Sequence, residues 1–322
     1  MTFAKEFMPN PTNILIIGAN GQLGTELSFE LQKMHGYDHV IKTDLYLPRH
    51  KVNQEGVFCQ LDVLDKDGLI EIIKRHNIKI IYHLAALLSA SCEKKPLQGW
   101  QLNMDGLLNV LEVSHALKIN RVFWPSSIAV FGPGSPKENT PQHCTKDPAT
   151  VYGITKLAGE RWCEYYFAKY GLDIRSIRYP GIIGYKSMPG GGTTDYAVDI
   201  FHKAIHHEPY ECFLSENSYL PMMYMSDAIR ATLQLMESDP QKLSVRSSYN
   251  ISAMSFSPSE IYHEIKKHFP DFLCTFKPDF RQQLADSWPK SIDDSIARRD
   301  WNWKHEFDLE KMVADMILNL RV

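Results

Sequence analysis

Residues Ile16-Ile17-Gly18-Ala19-Asn20-Gly21-Gln22-Leu23-Gly24 set three glycines at intervals of three, directly after the apolar run Asn13 to Ile17 and ahead of a helical pattern reaching about Met34. Few folds accept such a string. In a strand–turn–helix unit these glycines permit a tight turn, a close approach of backbone to pyrophosphate and close helix–sheet packing, while the helix N-terminus attracts phosphate. The same triplet also suits an ordinary strand-to-helix turn. Asp44 separates the two readings. It lies twenty residues past Gly24, at the end of a second short strand from His39 to Thr43, where a carboxylate binds both ribose hydroxyls and repels a 2′-phosphate. The expectation is a bound NAD rather than NADP, held by Gly18, Asn20, Gly21, Gln22, Leu23, Gly24 and Asp44. Asp62 and Val63, after a third strand, are expected to flank the adenine, with helix capping the competing role for Asp62 or Asp65.

Further strands are expected at Val57 to Leu61, Lys79 to Leu84, Arg121 to Pro125 and Asp173 to Arg178, with helices near 66–76, 97–118 and 152–170 between them. This alternation predicts an α/β chain with a parallel sheet covered on both faces. The rhythm breaks at Tyr179 to Thr194, which holds Pro180, Gly181, Gly184, Pro189 and the run Gly190-Gly191-Gly192. That segment reads as a functional loop or a hinge, and the lobe boundary is expected there. The first lobe is expected to span 1–178, with 222–245 returning to it; 179–221 and 246–322 would form the second, with a C-terminal helix at 308–320.

Composition narrows the partners. The formal charge is −3 with acids and bases interspersed, and the doublets Lys94-Lys95 and Arg298-Arg299 are too short to track phosphates, so no nucleic acid is expected. The six cysteines form no C-x-x-C pair, which suits reduced thiols, and His202 with His206 has no third ligand nearby, so no metal is expected. No apolar run approaches membrane-spanning length, and the first eleven residues lack both an apolar core and an Arg-rich pattern. A cytoplasmic location is the expectation.

Tyr152 and Lys156 have the spacing Tyr-x-x-x-Lys, 25 residues after Ser127. Oxidising an alcohol needs a base for the hydroxyl proton while hydride leaves the adjacent carbon, and a free tyrosine with a pKa of about 10 is a poor base near neutrality. A lysine one helical turn along, together with oxidised nicotinamide, would stabilise the phenolate; Ser127, at a strand end, would hold the substrate oxygen. Tyr165 with Lys169 and Tyr262 with Lys266 repeat the spacing inside amphipathic helices, where core packing and a solvated lysine are the expected roles. Absence of a G-x-S-x-G string speaks against a serine hydrolase.

The glycine triplet, His83-Leu84-Ala85-Ala86, Asn103, Ser127 and Tyr152-x-x-x-Lys156 together resemble the extended short-chain dehydrogenase/reductase family over almost the whole chain. The resemblance implies a Rossmann-type doubly wound sheet with a smaller C-terminal α/β substrate lobe. It implies that Leu84, Ala85 and Ala86 line the cofactor, that Asn103 supports the active-site sheet, and that Tyr179, Pro180 and Ile182 border the nicotinamide. Four later strings, HLAALLSAS, RYPGIIGYKSMPGGGTTDYAVDIF, LPMMYMSDAI and ADSWPKSIDDSIARRDW, resemble the short-chain type of L-threonine 3-dehydrogenases. By that likeness Ser89, Arg178, Gly192, Thr193 and Thr194 contact the amino acid, Trp288 shapes the pocket, and Ser127 stands where relatives carry threonine. A structural salt bridge is the competing role for Arg178.

The resulting expectation is NAD-dependent oxidation of L-threonine at its β-hydroxyl to 2-amino-3-oxobutyrate, by a homodimer packed through the helices at 97–118 and 152–170. Two alternatives stand beside it. A sugar-nucleotide epimerase on the same fold would need cations for a pyrophosphate, and 179–222 offers only Lys186 and Lys203. A non-catalytic NAD-sensing protein would not need the serine–tyrosine–lysine set.

Overall fold

A computed structural model describes residues 12–48, 55–186, 188, 190 and 192–321. The first eleven residues and Gly191 of the glycine run lie outside the described residues. The chain begins with strand β1 (Asn13–Ile17), helix α1 (Gln22–His35), β2 (Val40–Asp44), β3 (Phe58–Gln60), α2 (Lys66–Arg75) and β4 (Ile78–His83). Short helices α3 (Ser89–Lys94) and α4 (Pro96–Trp100) lead through one π-helical turn, Gln101–Asp105, into α5 (Gly106–Ala116), so the expected helix at 97–118 is interrupted. Then come β5 (Arg121–Ser127), α6 (Val151–Tyr170) and β6 (Ile174–Tyr179). Six of these strands, with the later β10, form one parallel seven-stranded sheet in the order β10-β6-β5-β4-β1-β2-β3.

The sheet is doubly wound because its strands are apolar on both faces. In β1, Ile14 and Ile16 enter one core with Leu27, Phe123 and Ala228; Leu15 and Ile17 enter the other with Leu69, Val110 and Trp124. Helix starts are written locally: Asp65 caps α2 through Gly68 N, and Thr150 caps α6 through Gly153 N. Helix α6 stops at Gly171, whose φ of 68° is left-handed. Strand order reverses beside β1, with β2 and β3 on one side and β4 onward on the other. The loops after β1 and β4 therefore flank the crevice in which such sheets hold ligands.

The remaining chain is β7 (Gly181–Ile183), α7 (Tyr196–Ile205), β8 (Tyr210–Cys212), β9 (Leu220–Tyr224), α8 (Met225–Glu237), β10 (Tyr249–Asn250), β11 (Met254–Phe256), α9 (Pro258–Lys266), β12 (Cys274–Phe276), α10 (Arg281–Ser287), α11 (Ser295–Trp301) and α12 (Leu309–Leu320). Segment 222–245 is divided: β9 joins a three-stranded sheet with β11 and β7, while α8 packs beside α1. The strand that extends the large sheet is β10, parallel to β6. The second lobe has its own core, including Tyr196, Phe201, Tyr224, Phe256, Met312 and Trp288. Among the described residues no helix is long and apolar enough to cross a membrane.

Candidate active site

A cleft opens at the carboxyl ends of β1, β4, β5 and β6 and is closed from the other side by the loop before α7 and by Trp288. The glycine loop forms its floor. Gly18 has φ +88°, and a Cβ there would lie 2.6 Å from the amide nitrogen of Ala85; a Cβ on Gly24 would lie 2.2 Å from Gly18 O. Both positions demand glycine for internal reasons. Gly21 differs, since an added Cβ would meet only Gly18 O at 3.4 Å, which leaves the loop open where a phosphate would approach. Asp44 closes the far end: its carboxylate accepts from Asn20 N at 3.0 Å, fixing the acid against the loop. Backbone cradle, helix N-terminus and acid together fit an adenine dinucleotide without a 2′-phosphate.

The catalytic candidates arrive from two elements. Ser127 ends β5; its Oγ accepts from Ala129 N at 3.2 Å, and it lines the cleft together with Tyr152. Tyr152 and Lys156 lie one turn apart on α6, which packs tightly because Gly159 abuts the Trp124 ring of β5; a Cβ there would sit 2.4 Å from it. Lys156 Nζ donates to Pro125 O at 2.6 Å and stands 4.6 Å from the Trp124 ring centre and 5.5 Å from that of Tyr152. Burial pushes the Tyr152 phenol above its ordinary pKa, and the nearby Ser127 hydroxyl offsets only part of that. Burial also lowers Lys156 to about 8. The direction for Tyr152 in the chain without cofactor is thus upward, opposite to the depression expected from Lys156. His83, at the end of β4, is buried with neither ring nitrogen partnered among the described residues. Burial and the Lys156 charge lower its pKa to about 3, so it is neutral beside the lysine.

Every expected residue except seven lines this cleft: Gly18, Gly21 to Gly24, Leu84, Ala86, Ser89, Ser127, Tyr152, Lys156, Tyr179, Pro180, Ile182, Gly192 to Thr194 and Trp288 do so. Thr193 is 1% exposed, yet its Oγ1 has no hydrogen-bond partner among the described residues. Gly192 N donates to Asp195 at 2.7 Å, which turns the loop toward α7. Of the seven, Ala85 packs against Gly18, and Asn20 and Asp44 are joined by the hydrogen bond given above. Asn103, in the π turn, accepts from Leu87 N at 2.8 Å and donates to Leu87 O and Thr155 Oγ1, so it ties the loop after β4 to α6. Asp62 accepts from Leu64 N at 3.0 Å, while Asp65 is the helix cap; Val63 is buried against Gly106.

Arg178 is the exception with a clear physical reason. It is 1% exposed, and its guanidinium grips both oxygens of Glu160 at 2.7 and 2.8 Å, with a further donor to Asn250 Oδ1 at 2.9 Å. With a fourth bond to Gln142 O at 3.1 Å, four of its five N–H groups are held inside the protein, so the salt-bridge role is the one seen here. Glu160 also accepts from Ser126 Oγ at 2.8 Å. Its signal in the sequence was its place four residues after Lys156, on the same face of α6. Leu88, Pro125, Ser126, Ile128, Gly181 and Asp195 also line the cleft outside the expected set; all but Pro125 are next in sequence to an expected residue.

A family model described as "NAD dependent epimerase/dehydratase family" matches residues 14–252. The mitochondrial L-threonine 3-dehydrogenase of Sus scrofa is 47% identical over 311 residues, covering 96% of this chain and 82% of its own. The holo form of a GalE-like L-threonine dehydrogenase from Cupriavidus necator is 53% identical with a TM-score of 0.93, covering 96% of this chain and 99% of its own. A monomeric L-threonine 3-dehydrogenase from a metagenome, in its apo form, is 49% identical with a TM-score of 0.92, covering 96% and 98%. A more distant likeness, to the UDP-glucose 4-epimerase of Thermotoga maritima, has 21% identity and a TM-score of 0.84, and is one of fold alone.

Proposed function

Since the chain belongs to the NAD dependent epimerase/dehydratase family, the extended short-chain dehydrogenase/reductases, we propose that it oxidises the β-hydroxyl of L-threonine to 2-amino-3-oxobutyrate with NAD. The observation that carries this reading is the lining of one cleft by the hydroxyl-bearing Ser89, Ser127, Tyr152, Thr193 and Thr194, with Lys156 its only basic residue among the described residues. Such a wall suits a small zwitterion. A sugar nucleotide would require cations for its pyrophosphate, and Arg178 is already committed to Glu160. The relatives of nearly half identity that carry the threonine dehydrogenase name support the same choice.

In this reading Ser127 orients the substrate hydroxyl and Tyr152 takes its proton, while the β-carbon gives up hydride. NAD, when bound, supplies the hydride acceptor and a positive charge. Lys156 holds a second positive charge near the phenol, and its bond to Pro125 O keeps it at the end of β5. The unpartnered Thr193 Oγ1 offers a buried hydrogen bond to the amino acid, and the loop carrying it keeps water from the reacting carbon. Asp44 holds the adenosine ribose and Asn103 supports the cleft from behind. We place Arg178 with the supporting residues rather than the substrate contacts. The protein is further proposed to be a cytoplasmic homodimer.

Incubation with L-threonine and NAD tests the reading through NADH absorbance. Turnover with NAD well above that with NADP is expected. No NADH, with interconversion of UDP-galactose and UDP-glucose, would replace it by epimerisation.

A further inference from the structure

Trp288 belongs to two hollows at once. It lines the cleft with Ser89, Tyr152 and Thr193, and it also borders a second cavity of about 420 Å3 with Lys137, Ser215, Ser218 and Lys290. The residue is 6% exposed and follows directly on α10, in extended backbone with φ −91° and ψ 164°. A seven-residue helix has little stability of its own, so the position of Trp288 depends on what grips α10.

Lys137, from the loop after β5, grips its end. Nζ donates to the carbonyls of Asp286 at 3.0 Å, Ser287 at 2.7 Å and Trp288 at 3.4 Å. These are the carbonyls that a helix leaves unpaired at its C-terminus, where a cation is favoured. The backbones of the two segments also pair, Lys290 N to Lys137 O at 2.7 Å and Thr140 N to Ser291 O at 3.0 Å. At the other end of α10, Gln282 donates to Ser218 Oγ at 2.9 Å and accepts from Ser215 N at 2.8 Å. Lys137 itself does not line the cleft.

We infer that Lys137 is a positioning residue that holds Trp288 as a partition between the cleft and the second cavity, and that this partition limits the size of the amino acid side chain the cleft takes. The inference rests on the threonine reading above. With the partition in place the cleft serves a β-hydroxy amino acid bearing a small β-substituent. With it displaced, the second cavity adds room for an aryl group, as in β-phenylserine. The bonds broken are the same in both substrates, so only fit separates them.

Two measurements test this. The difference in tryptophan emission between a protein and its Trp288→Phe derivative isolates Trp288 and needs no activity. In Lys137→Gln that emission should shift to the red and quench more readily with acrylamide, and in Lys137→Arg it should not. In turnover, Lys137→Gln should raise KM for threonine about tenfold with kcat within about threefold and KM for NAD unchanged. The ratio of kcat/KM for β-phenylserine to that for threonine should rise about tenfold in Lys137→Gln and in Trp288→Leu. Unchanged Trp288 emission in Lys137→Gln overturns the clamp. Equal rises in KM for NAD and threonine with a constant ratio overturn it as well, because that is loss of structure alone. If Lys137→Gln does not fold, an unchanged ratio in Trp288→Leu overturns the partition. Wild-type protein inert toward threonine would remove the functional reading while leaving the emission test of the clamp standing.

Discussion

Tyr152 and Lys156 are one of three Tyr-x-x-x-Lys pairs, and the other two make the closer contact. Lys169 donates to Tyr165 OH at 2.7 Å and Lys266 to Tyr262 OH at 3.1 Å, both outside the cleft. What distinguishes Tyr152 is therefore its place in the cleft beside Ser127, not a direct bond to its lysine. Its raised pKa leaves little phenolate at neutrality, so kcat/KM should climb as pH rises from neutral toward the alkaline range. Tyr152→Phe should lose about a thousandfold in kcat while binding NAD normally by calorimetry; full turnover would remove the assigned role. Lys156 carries a stability consequence. Its folded pKa of about 8 lies below the ordinary 10.5, so the unfolded chain binds more protons between those values and stability rises with pH across that window. Below pH 8 the cost of burying the charge is fully present. Lys156→Met should therefore stabilise the inactive protein at pH 7 by about 2 kcal/mol after loss of the Pro125 bond, with the gain fading toward pH 10.5 in urea titrations. Asp44→Ser should raise KM for NAD about tenfold and narrow the preference over NADP.

At the scale of the element, α6 carries Tyr152, Lys156 and Glu160 on one face, so a single helix sets both the chemistry and its support. Thr150 fixes where the helix starts, Gly159 how closely it approaches β5, and the Glu160–Arg178 pair how it sits against β6. Breaking that buried pair by Glu160→Gln should cost about 3–5 kcal/mol in urea unfolding, because Arg178 would keep its charge without a partner. The double variant Glu160→Leu/Arg178→Met should recover most of the loss. If it also keeps KM for threonine, Arg178 is a supporting residue; a large rise in KM with restored stability would return it to the substrate contacts. The π turn at Gln101–Asp105 acts similarly, since it aims Asn103 at Leu87 and Thr155.

At the scale of the whole molecule, the cleft exists because two lobes meet over the reversal in strand order, and one surface is left over. Leu97 (84% exposed) and Trp100 are exposed on α4, which packs beside α6 with its own exposed Ile154 and Trp162, an apolar face turned outward. The proposed homodimer would bury this face, so Leu97→Glu with Trp162→Glu should convert dimer to monomer in light scattering; a wild-type monomer would exclude the dimer. Much was legible in the sequence because it is local. Glycine spacing, strand and helix periods, the helix caps, and the motifs now lining the cleft all express contacts between residues close along the chain, where backbone sterics and side-chain period leave few choices. The break in rhythm at Tyr179 to Thr194 reads as a loop from its glycines and prolines, but Tyr179 ends β6 and Gly181–Ile183 forms β7. The rest depended on residues far apart in sequence. Only packing decided that the large sheet gains its last strand from Tyr249–Asn250, that Arg178 meets Glu160, and that Lys137 reaches across 150 residues to the end of α10. Burial belongs with these. Charge and spacing along the chain speak of attraction between Tyr152 and Lys156, but how far each group leaves water is set by the assembled fold, and that term governs their protons.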